Sequence, residues 1–357
     1  MNAAAKEYDG RNKYIRITDI DETTSKYCND DVVSPSGELE DKYLVRENDI
    51  LFARTGASVG KTYHYDISDG KLYFAGFLIR GNVLSCYNSK FVFYQTQLPR
   101  YEKWVKVMSA RSGQPGINSQ EYEGFNLFMP TRFEQDKIES FISLLDHRIE
   151  VQSGLIEDLQ KLKAAIIEHL YNQHNTESRI GDVVTQVSFR NRGDNDYSVL
   201  SVNNRLGFIE QSEQFEDRLV ASEDTSNYKV VSRDDFAYNP ARINVGSIAR
   251  LTSFEKGIVS PMYICFHTKK LLLPQYMEHF FATRYFDYEM QKRLEGSVRL
   301  CLSWEGLCNI PIAVPSIEQQ ECIGNRISRL ADKIFLEERY LGLLKIQKQY
   351  LLQAMFI

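Results

Sequence analysis

The chain has 357 residues, of which 43% are hydrophobic and 25% are charged, and its formal net charge is −5. This composition is that of an ordinary globular protein with roughly two or three domains, and the acidic balance argues against a general nucleic-acid coat while allowing local basic loops. No apolar run approaches the ~20 residues that span a bilayer, and the N-terminus lacks a signal-peptide core, so we expect no membrane segment. The six cysteines show no CxxC pairing and the scattered histidines suggest no metal site, which predicts free thiols in a reducing cytoplasm.

Short strands are predicted in the first part of the chain, at 13–20, 49–55 and 77–86. The second of them lies within ILFARTGASVGKTYHY (50–65), which looks at first like a phosphate-binding loop. Such a loop needs four residues between its first glycine and its Gly-Lys pair, and a helix behind it that directs its N-terminus at the phosphate. Here only three residues separate Gly56 from Gly60, and the residues after Thr62 lack helical periodicity. An NTPase is therefore the weakest functional interpretation.

A long helix is predicted after an aromatic helical stretch at 89–110. Its apolar residues alternate at spacings of four and three, and Gln152 and Lys163 occupy the two polar positions of the same seam. A 3.5-residue repeat sustained over about four to five heptads favours a coiled coil over a helix packed only on its own domain. The predicted seam consists of Ile138, Ile142, Leu145, Ile149, Ile156, Leu159, Ile166 and Leu170.

The second half of the chain repeats the first. The segment 45–65 matches 231–251, where Asp235 and Gly246 each lie 186 residues after Asp49 and Gly60. The second copy reads VGSI where the first reads VGKT, so a phosphate-binding lysine would be lost from it. The feature that both copies share is a strand that leads into a tight turn.

The repeat extends to the helices, because 126–150 matches 310–335 at an offset of 185 residues. Between a linker at 172–179 and the second helix, the sequence predicts strands at 197–202, 235–239 and 262–268 and an aromatic helical stretch at 274–296. The second seam has Glu337 and Lys348 in its polar positions. Its apolar residues are Ile323, Ile327, Leu330, Ile334, Leu341, Leu344, Leu351 and Met355.

These patterns predict an α+β chain with two tandem mixed domains and two long helices. We expect the first mixed domain at 1–132, the central helix at 133–175, the second mixed domain at 176–316 and the distal helix at 317–357. The helices are expected to pair as an antiparallel coiled coil, since that arrangement gives a pseudo-twofold dimer within one chain with a mixed domain at each end.

The duplicated segments resemble the DNA-specificity subunit of type I restriction-modification enzymes. The resemblance rests on three features that each occur twice. The first is NDILFART with its glycine turn and NPARINVGSI, and the second is SGQPGINSQEYEGFNLFMP and RLCLSWEGLCNIPIAVP. The third is EQ followed by a long Ile/Leu helix. The resemblance covers nearly the whole chain, and the order and duplication of the segments are its specific features.

The resemblance implies that each mixed domain is a target-recognition domain that reads one half of a split site in double-stranded DNA. It also implies that the helices separate these domains and dock two methyltransferase subunits, which restriction-translocase subunits join. Adenine methylation would use S-adenosylmethionine bound by the partner, so the chain itself would need no cofactor.

The first half departs from the family pattern at its start. Family members usually open with a segment like IGDVVTQVSF, which the second half has at Ile180–Phe189. The first half starts near EYDGRNKYIRITDI. We therefore expect an N-terminally shortened first target-recognition domain.

Candidate DNA-contacting residues are the long polar side chains on the loops of both domains, since arginine reads guanine, asparagine or glutamine reads adenine, and lysine and arginine bind phosphate. For any single one of them a solvated surface group is the favoured interpretation. It is the whole set, on glycine-rich loops that differ between the copies, that favours DNA. In the first domain they are Lys13, Arg54, Thr55, Ser58, Lys61, Arg111 and Gln114. In the second they are Arg190, Arg192, Asn203, Asn204, Arg205, Arg242, Asn244, Arg293 and Arg299.

The sequence predicts no catalytic centre in this chain. Asn239-Pro240-Ala241-Arg242 begins like the Asn-Pro-Pro-aromatic motif of adenine methyltransferases but lacks its second proline and its aromatic residue. No Ser/His/Asp set or carboxylate-lysine cluster accompanies it. We therefore expect a non-catalytic subunit of a methyltransferase and restriction complex. The alternative is a duplicated coiled-coil scaffold that binds only proteins.

Overall fold

The predicted strands are present in both halves, each over a shorter range than the sequence suggests. The structure is a computed structural model that describes residues 1, 3–110, 114–172, 178–192, 197–204, 206–211, 225–296 and 299–356. The chain divides into unit 1, Met1–Ser153 with Arg339–Ile357, and unit 2, Gly154–Glu338. The four predicted domain ranges remain predictions.

Unit 1 contains a three-stranded antiparallel sheet in the order β5-β4-β7, a parallel pair β2-β6 and an antiparallel pair β1-β3 among its described residues. Side chains alternate across β4, so Leu51 joins the core under the strands while Ile50 packs with the aromatic helix. The elements are β1 (Ala5–Glu7), β2 (Lys13–Ile15), β3 (Val33–Pro35), β4 (Asp49–Ala53), β5 (Thr62–His64), β6 (Leu72–Phe74), β7 (Leu78–Asn82), α1 (Ser89–Gln95), α2 (Pro99–Met108), α3 (Ser119–Glu123) and α4 (Arg132–Tyr171), the first long helix.

Unit 2 repeats the sheet of β5, β4 and β7 with a fourth strand, and its described residues contain ten strands where those of unit 1 contain seven. Its described sheets have the orders β11-β10-β15-β12, β14-β13-β16-β9 and β17-β8. Strand β9, from the IGDVVTQVSF segment, is the fourth strand beside β16. The elements are β8 (Ser178–Arg179), α5 (Ile180–Val183), β9 (Val184–Val187), β10 (Val199–Asn203), β11 (Gly207–Glu210), β12 (Lys229–Ser232), β13 (Phe236–Tyr238), β14 (Ile248–Arg250), β15 (Lys256–Val259), β16 (Ile264–Thr268), α6 (Pro274–Phe280), α7 (Arg284–Gln291), α8 (Trp304–Cys308), β17 (Pro311–Ile312) and α9 (Ile317–Met355), the second long helix.

Each predicted aromatic helical stretch is helical and forms two helices. Pro99 starts α2, and the extended backbone of Leu98 before it ends the preceding turn, because proline lacks an N–H and disfavours helix at the residue before it. In the second half, the Thr283 hydroxyl accepts a hydrogen bond from the Phe286 N–H (3.1 Å) and caps α7.

The duplication is visible at the start of each long helix. The buried side chain of Gln135 donates to the Pro130 carbonyl (2.8 Å) and accepts from the Asn88 N–H (2.9 Å). Gln320, 185 residues later, donates to the Pro315 carbonyl (2.8 Å) and accepts from the Leu273 N–H (2.8 Å). A buried amide with both ends satisfied fixes each long helix to its mixed domain.

The two long helices pair antiparallel. In unit 1, Ile142 and Leu145 of the first long helix share a buried cluster with Leu352 of the second, and the Lys348 ammonium contacts the Asp146 carboxylate at 2.6 Å.

In unit 2, Ile167 and Leu170 of the first long helix share a cluster with Ile323 and Ile327 of the second. The early part of one helix thus meets the late part of the other in both units. All sixteen predicted apolar seam residues are buried or half-buried. The predicted fold class, α+β with an antiparallel pair of long helices, is confirmed.

Candidate nucleic-acid interface

The turn after β4 is closed by backbone hydrogen bonds. The Ala53 N–H donates to the Lys61 carbonyl (2.8 Å), and the Gly60 N–H donates to the Ala53 carbonyl (3.0 Å). Gly60 has φ +86°, and a β-carbon there would lie 2.5 Å from the Val105 side chain, so only glycine fits. The strand β5 follows the turn, which leaves no helix N-terminus for a phosphate.

The turn after β13 shares the first of these bonds, although the Gly246 N–H donates to the Ile243 carbonyl (2.9 Å) instead. The Asn239 N–H donates to the Ser247 carbonyl (3.0 Å), and Gly246 has φ +88°. A short 3-10 helix lies within each turn, at Gly56–Ser58 and at Ile243–Val245. The shared strand and tight turn that the sequence comparison predicts are therefore present.

A second loop is attached to each turn at an equivalent position. The Ile117 N–H donates to the Arg54 carbonyl (2.9 Å), and the Leu302 N–H donates to the Pro240 carbonyl (3.0 Å). We refer to residues 54–61 and 114–117 as loop platform 1. We refer to residues 240–247 and 299–302, with the described residues 203–204 and 206–207 between β10 and β11, as loop platform 2. Asn204 lies 3.4 Å from the position a β-carbon of Gly246 would take.

Loop platform 1 brings together most of the candidate residues of the first domain. Arg54 and Gln114 are exposed, and Thr55 and Ser58 are half-buried. The Gln114 amide lies beside Gly56. The Lys61 ammonium forms an ion pair with Glu22 (2.8 Å), so it already has an anionic partner. Arg111 lies outside the described residues.

Lys13 is not on this platform. It lies on β2, where its ammonium donates to the Asn29 side chain (3.3 Å) and sits over the ring of Tyr27. The 16–29 segment contacts both the platform and this strand, because Glu22 pairs with Lys61 and Asn29 accepts from Lys13.

Loop platform 2 presents the exposed side chains of Asn204, Arg242, Asn244 and Arg299. Asn203 is half-buried, and its side-chain oxygen accepts from the Leu206 N–H (3.1 Å), which makes it a residue that shapes the turn. Arg205 lies outside the described residues.

Three second-domain candidates lie apart from these exposed groups. The Arg293 guanidinium pairs with Glu289 (2.6 Å) and donates to its carbonyl (2.7 Å). Hydrogen bonds from Lys292 and Arg293 lower the pKa of Glu289, which keeps this carboxylate ionised and the arginine engaged. Arg190 donates to the Asn227 side chain (3.2 Å), and Arg192 is exposed on the same segment. The DNA-contacting role of all these residues stays a prediction.

Some residues of this surface are absent from the sequence-based set. Glu22 holds Lys61, and the exposed side chains of Phe77 and Met262 adjoin the two platforms. The 185-residue offset could have identified the last two, because it aligns the turn that contains Phe77 with the turn that contains Met262. They are absent from the sequence-based set because that set contains only polar side chains.

Two kinds of site are absent from the described part of the chain. Within it, no helix is long and apolar enough to cross a membrane. Within it, too, no three histidine, cysteine, aspartate or glutamate side chains cluster so that they could hold a metal ion.

Solved structures share this fold over the full chain. A chain solved in work on complex assembly and conformational transition of the type I R-M system is 13% identical, with a TM-score of 0.61, and the match covers 100% of this chain and 95% of that one. The S subunit of a type I restriction-modification system from M. genitalium is 16% identical, with a TM-score of 0.56 and coverage of 100% and 93%. At these identities, the likeness establishes the fold.

The family comparison concerns the first part of the sequence. Residues 1–161 match the family described as the type I restriction modification DNA specificity domain. This range contains loop platform 1 and most of the first long helix. The first part of the chain is therefore similar to type I restriction modification DNA specificity domains, in agreement with the sequence resemblance.

Proposed function

We propose that this chain is the DNA-specificity subunit of a type I restriction-modification enzyme, and that each loop platform reads one half of a bipartite site. The observation that carries the proposal is one pair of loops, built twice with the same hydrogen bond between Ile117 and Arg54 and between Leu302 and Pro240. A scaffold repeated in this way holds two reading surfaces on rigid elements.

The side chains on the two platforms differ. At offsets of 186 or 185 residues, Gly56 and Ser58 are replaced by Arg242 and Asn244, and Gln114 is replaced by Arg299. Arginine makes paired hydrogen bonds to guanine, whereas asparagine and glutamine do so to adenine. Loops held at equivalent positions with different donors and acceptors would read different bases, as a bipartite site with unlike halves requires.

The chain would supply recognition, and its partners would supply the chemistry. The methyltransferase subunits would bind S-adenosylmethionine and methylate adenine, and the restriction-translocase subunits would join that core. This chain would bind no cofactor of its own and would be non-catalytic.

The outer surface of the long helices supports docking of two methyltransferase subunits. Apolar residues at 141, 144, 151, 155 and 162 follow steps of three, seven, four and seven, and those at 336, 343 and 350 follow steps of seven. Such spacings place each set on one face of its helix. All of them are exposed, as with Leu144 (69%), Leu343 (62%) and Tyr350 (70%), and contiguous exposed apolar surface is typical of a protein interface.

The same helix pair would set the distance between the half-sites. A 40-residue helix is ~60 Å long at 1.5 Å per residue. A bipartite site of comparable length, roughly 15 base pairs at ~3.4 Å each, would be read at its ends and ignored between them. The coil carries no loop that could enter a groove in its middle.

The test compares Arg242→Ala with Arg233→Ala in the full chain assembled with its methyltransferase subunits. Arg233 is also partly exposed, but it pairs with Glu255 at the opposite end of β13 from the platform. We expect Arg242→Ala to weaken recognition at one half-site only, by ~1–3 kcal/mol if it contacts a base, and Arg233→Ala to change nothing. Affinity is measured on duplexes with either half-site scrambled.

Three other outcomes are distinguishable. A uniform loss on all sequences would assign Arg242 to a phosphate, and no loss would remove it from the interface. Equal affinity of the unaltered complex for every duplex would contradict DNA specificity and favour the protein scaffold.

A further inference from the structure

Each platform is flanked by a β-turn whose third residue is a large exposed apolar side chain. The Leu78 N–H donates to the Ala75 carbonyl (3.0 Å), and the Tyr263 N–H donates to the Ser260 carbonyl (3.1 Å). The third residues are Phe77, which is 61% exposed, and Met262, which is 60% exposed. We refer to these two side chains as the apolar tips.

The turns that carry the apolar tips are bonded to the residues where the platforms begin. In unit 1 the bond is between backbones, from the Arg54 N–H to the Phe77 carbonyl (3.0 Å). In unit 2, the side-chain amide of Asn239, the residue before platform 2, lies 3.6 Å from the Met262 sulfur, a weak acceptor. Each tip therefore belongs to a residue that is held at the start of its platform.

In unit 1, Phe77 is the exposed residue of its turn, since Ala75 and Leu78 are 7% and 4% exposed and Gly76 is half-buried. In unit 2, Tyr263 after Met262 is 8% exposed, whereas Pro261 before it is exposed as well. A turn of this kind accommodates polar residues at its third position at no cost to packing. Single exposed apolar residues are ordinary. Two of them at equivalent turns beside equivalent platforms indicate a shared function.

Apolar side chains read DNA through the thymine methyl group, the one apolar group on a base edge in the major groove. We propose that Phe77 and Met262 are specificity-determining residues, each of which packs against the methyl group of a thymine in the half-site that its platform reads. The proposal rests on the proposed function, because it requires that the platforms face DNA. It adds apolar reading of thymine to the polar reading by Arg54, Gln114 and Arg242.

The experiment replaces thymines by deoxyuridine, which removes only the methyl group. The full chain, assembled with its methyltransferase subunits, is titrated with duplexes of its methylated sequence in which each thymine of both half-sites is replaced in turn. We expect one replacement in each half-site to lower affinity about 3- to 10-fold, the size expected for exposing one buried methyl. Phe77→Ala should lower affinity for the thymine duplex by a similar factor and abolish the thymine–uridine difference in one half-site. Met262→Ala should do so in the other.

Matched controls are Ile67→Ala and Leu271→Ala, whose side chains are 85% and 69% exposed. They follow the ends of β5 and β16 that lie away from the platforms. We expect both variants to bind like the unaltered chain. A half-site without thymine, or a thymine–uridine difference that survives Phe77→Ala and Met262→Ala, would overturn the inference. Arg242→Ala would still test the proposed function by itself, since its effect does not depend on the apolar tips.

Discussion

The ring of Phe91 stacks on the ring of Phe356, with centroids 4.9 Å apart and planes inclined by 26°. Tyr276 stacks on Tyr171 in the same manner, at 4.6 Å and 30°. Tyr276 lies 185 residues after Phe91, and Phe356 lies 185 residues after Tyr171, so the two pairs consist of equivalent positions. Each pair joins one position from each half of the sequence, because Tyr171 ends the first long helix and Phe356 follows the second. This arrangement is what antiparallel pairing of two duplicated helices requires. Each aromatic segment therefore packs against the end of the other half's long helix as well as against the long helix of its own half.

We expect Phe356→Ala to lower the free energy of unfolding by about 3 kcal/mol, because it leaves a cavity against Phe91. Phe356 is 7% exposed. Tyr350→Ala, on the same segment but 70% exposed, should cost less than about 0.5 kcal/mol. Urea unfolding followed by circular dichroism measures both. Equal effects of the two variants would contradict the packing described.

Gly60→Ala is expected to destabilise the chain more than Gly246→Ala. Both positions have positive φ, which costs an alanine roughly 1–2 kcal/mol. Only at Gly60 would the added β-carbon also collide with a neighbour, the buried side chain of Val105 at 2.5 Å. The nearest atom at Gly246 is 3.4 Å away, an ordinary contact. Thermal unfolding of the two variants decides the order, and a larger loss for Gly246→Ala would refute the account.

The stability of the chain should depend on pH through two half-buried histidines, His64 and His279. Burial lowers the pKa of each from 6.5 to about 4. Between these pH values the unfolded chain therefore binds more protons than the folded chain. Each histidine lowers the free energy of unfolding as the pH falls from 6.5 towards 4. His64 Nε2 lies 2.9 Å from the Ser89 hydroxyl, and a neutral glutamine could keep a hydrogen bond there.

The measurement is the difference in unfolding free energy between the unaltered chain and His64→Gln at pH 7 and at pH 4. Other groups that titrate in this range cancel in that difference. We expect it to shift in favour of the variant by up to about 3 kcal/mol on acidification. A difference independent of pH would mean that His64 titrates normally in the folded chain.

Leu144→Asp should abolish assembly with the methyltransferase subunits without unfolding the chain. Leu144 is 69% exposed on the first long helix, so a charge there costs little in the free chain but would be buried without a partner in a complex. Lys161→Asp, at an exposed position on another face of the same helix, is the control. Size-exclusion chromatography with purified subunits shows the outcome. Normal assembly of Leu144→Asp would place the docking surface elsewhere.

Inserting one heptad at matched points in both long helices should lengthen the unread spacer. Seven residues keep the seam in phase and add ~10 Å, which corresponds to at most ~3 base pairs. We expect both half-site sequences to stay the same, and activity to fall if the added base pairs rotate one half-site about the DNA axis. Methylome sequencing of a host with the insertion variant reports both properties. Changed half-site bases with an unchanged spacer would show that the helices do not set the length of the spacer.

The sequence predicts most of the fold because its informative patterns are local or periodic. The seam through Ile142 and Leu145 follows from spacing alone, and the turn at Gly60 follows from comparison with Gly246. The break at Thr283 was not predicted, since its cap depends on one hydrogen bond that competes with continued helix. The pairing of Lys61 with Glu22 and of Arg293 with Glu289 was also missed. Such partners are set by the tertiary placement of loops, which periodicity does not encode.

The most direct test of bipartite DNA specificity is methylome sequencing of the host with and without this gene. We predict an adenine-methylated motif that depends on the gene and consists of two short fixed half-sites separated by a spacer of constant length and arbitrary sequence. Arg242→Ala should relax one half-site and leave the spacer and the other half-site unchanged. A methylome that is the same in both strains, or a gene-dependent motif with one uninterrupted recognition sequence, would contradict the account.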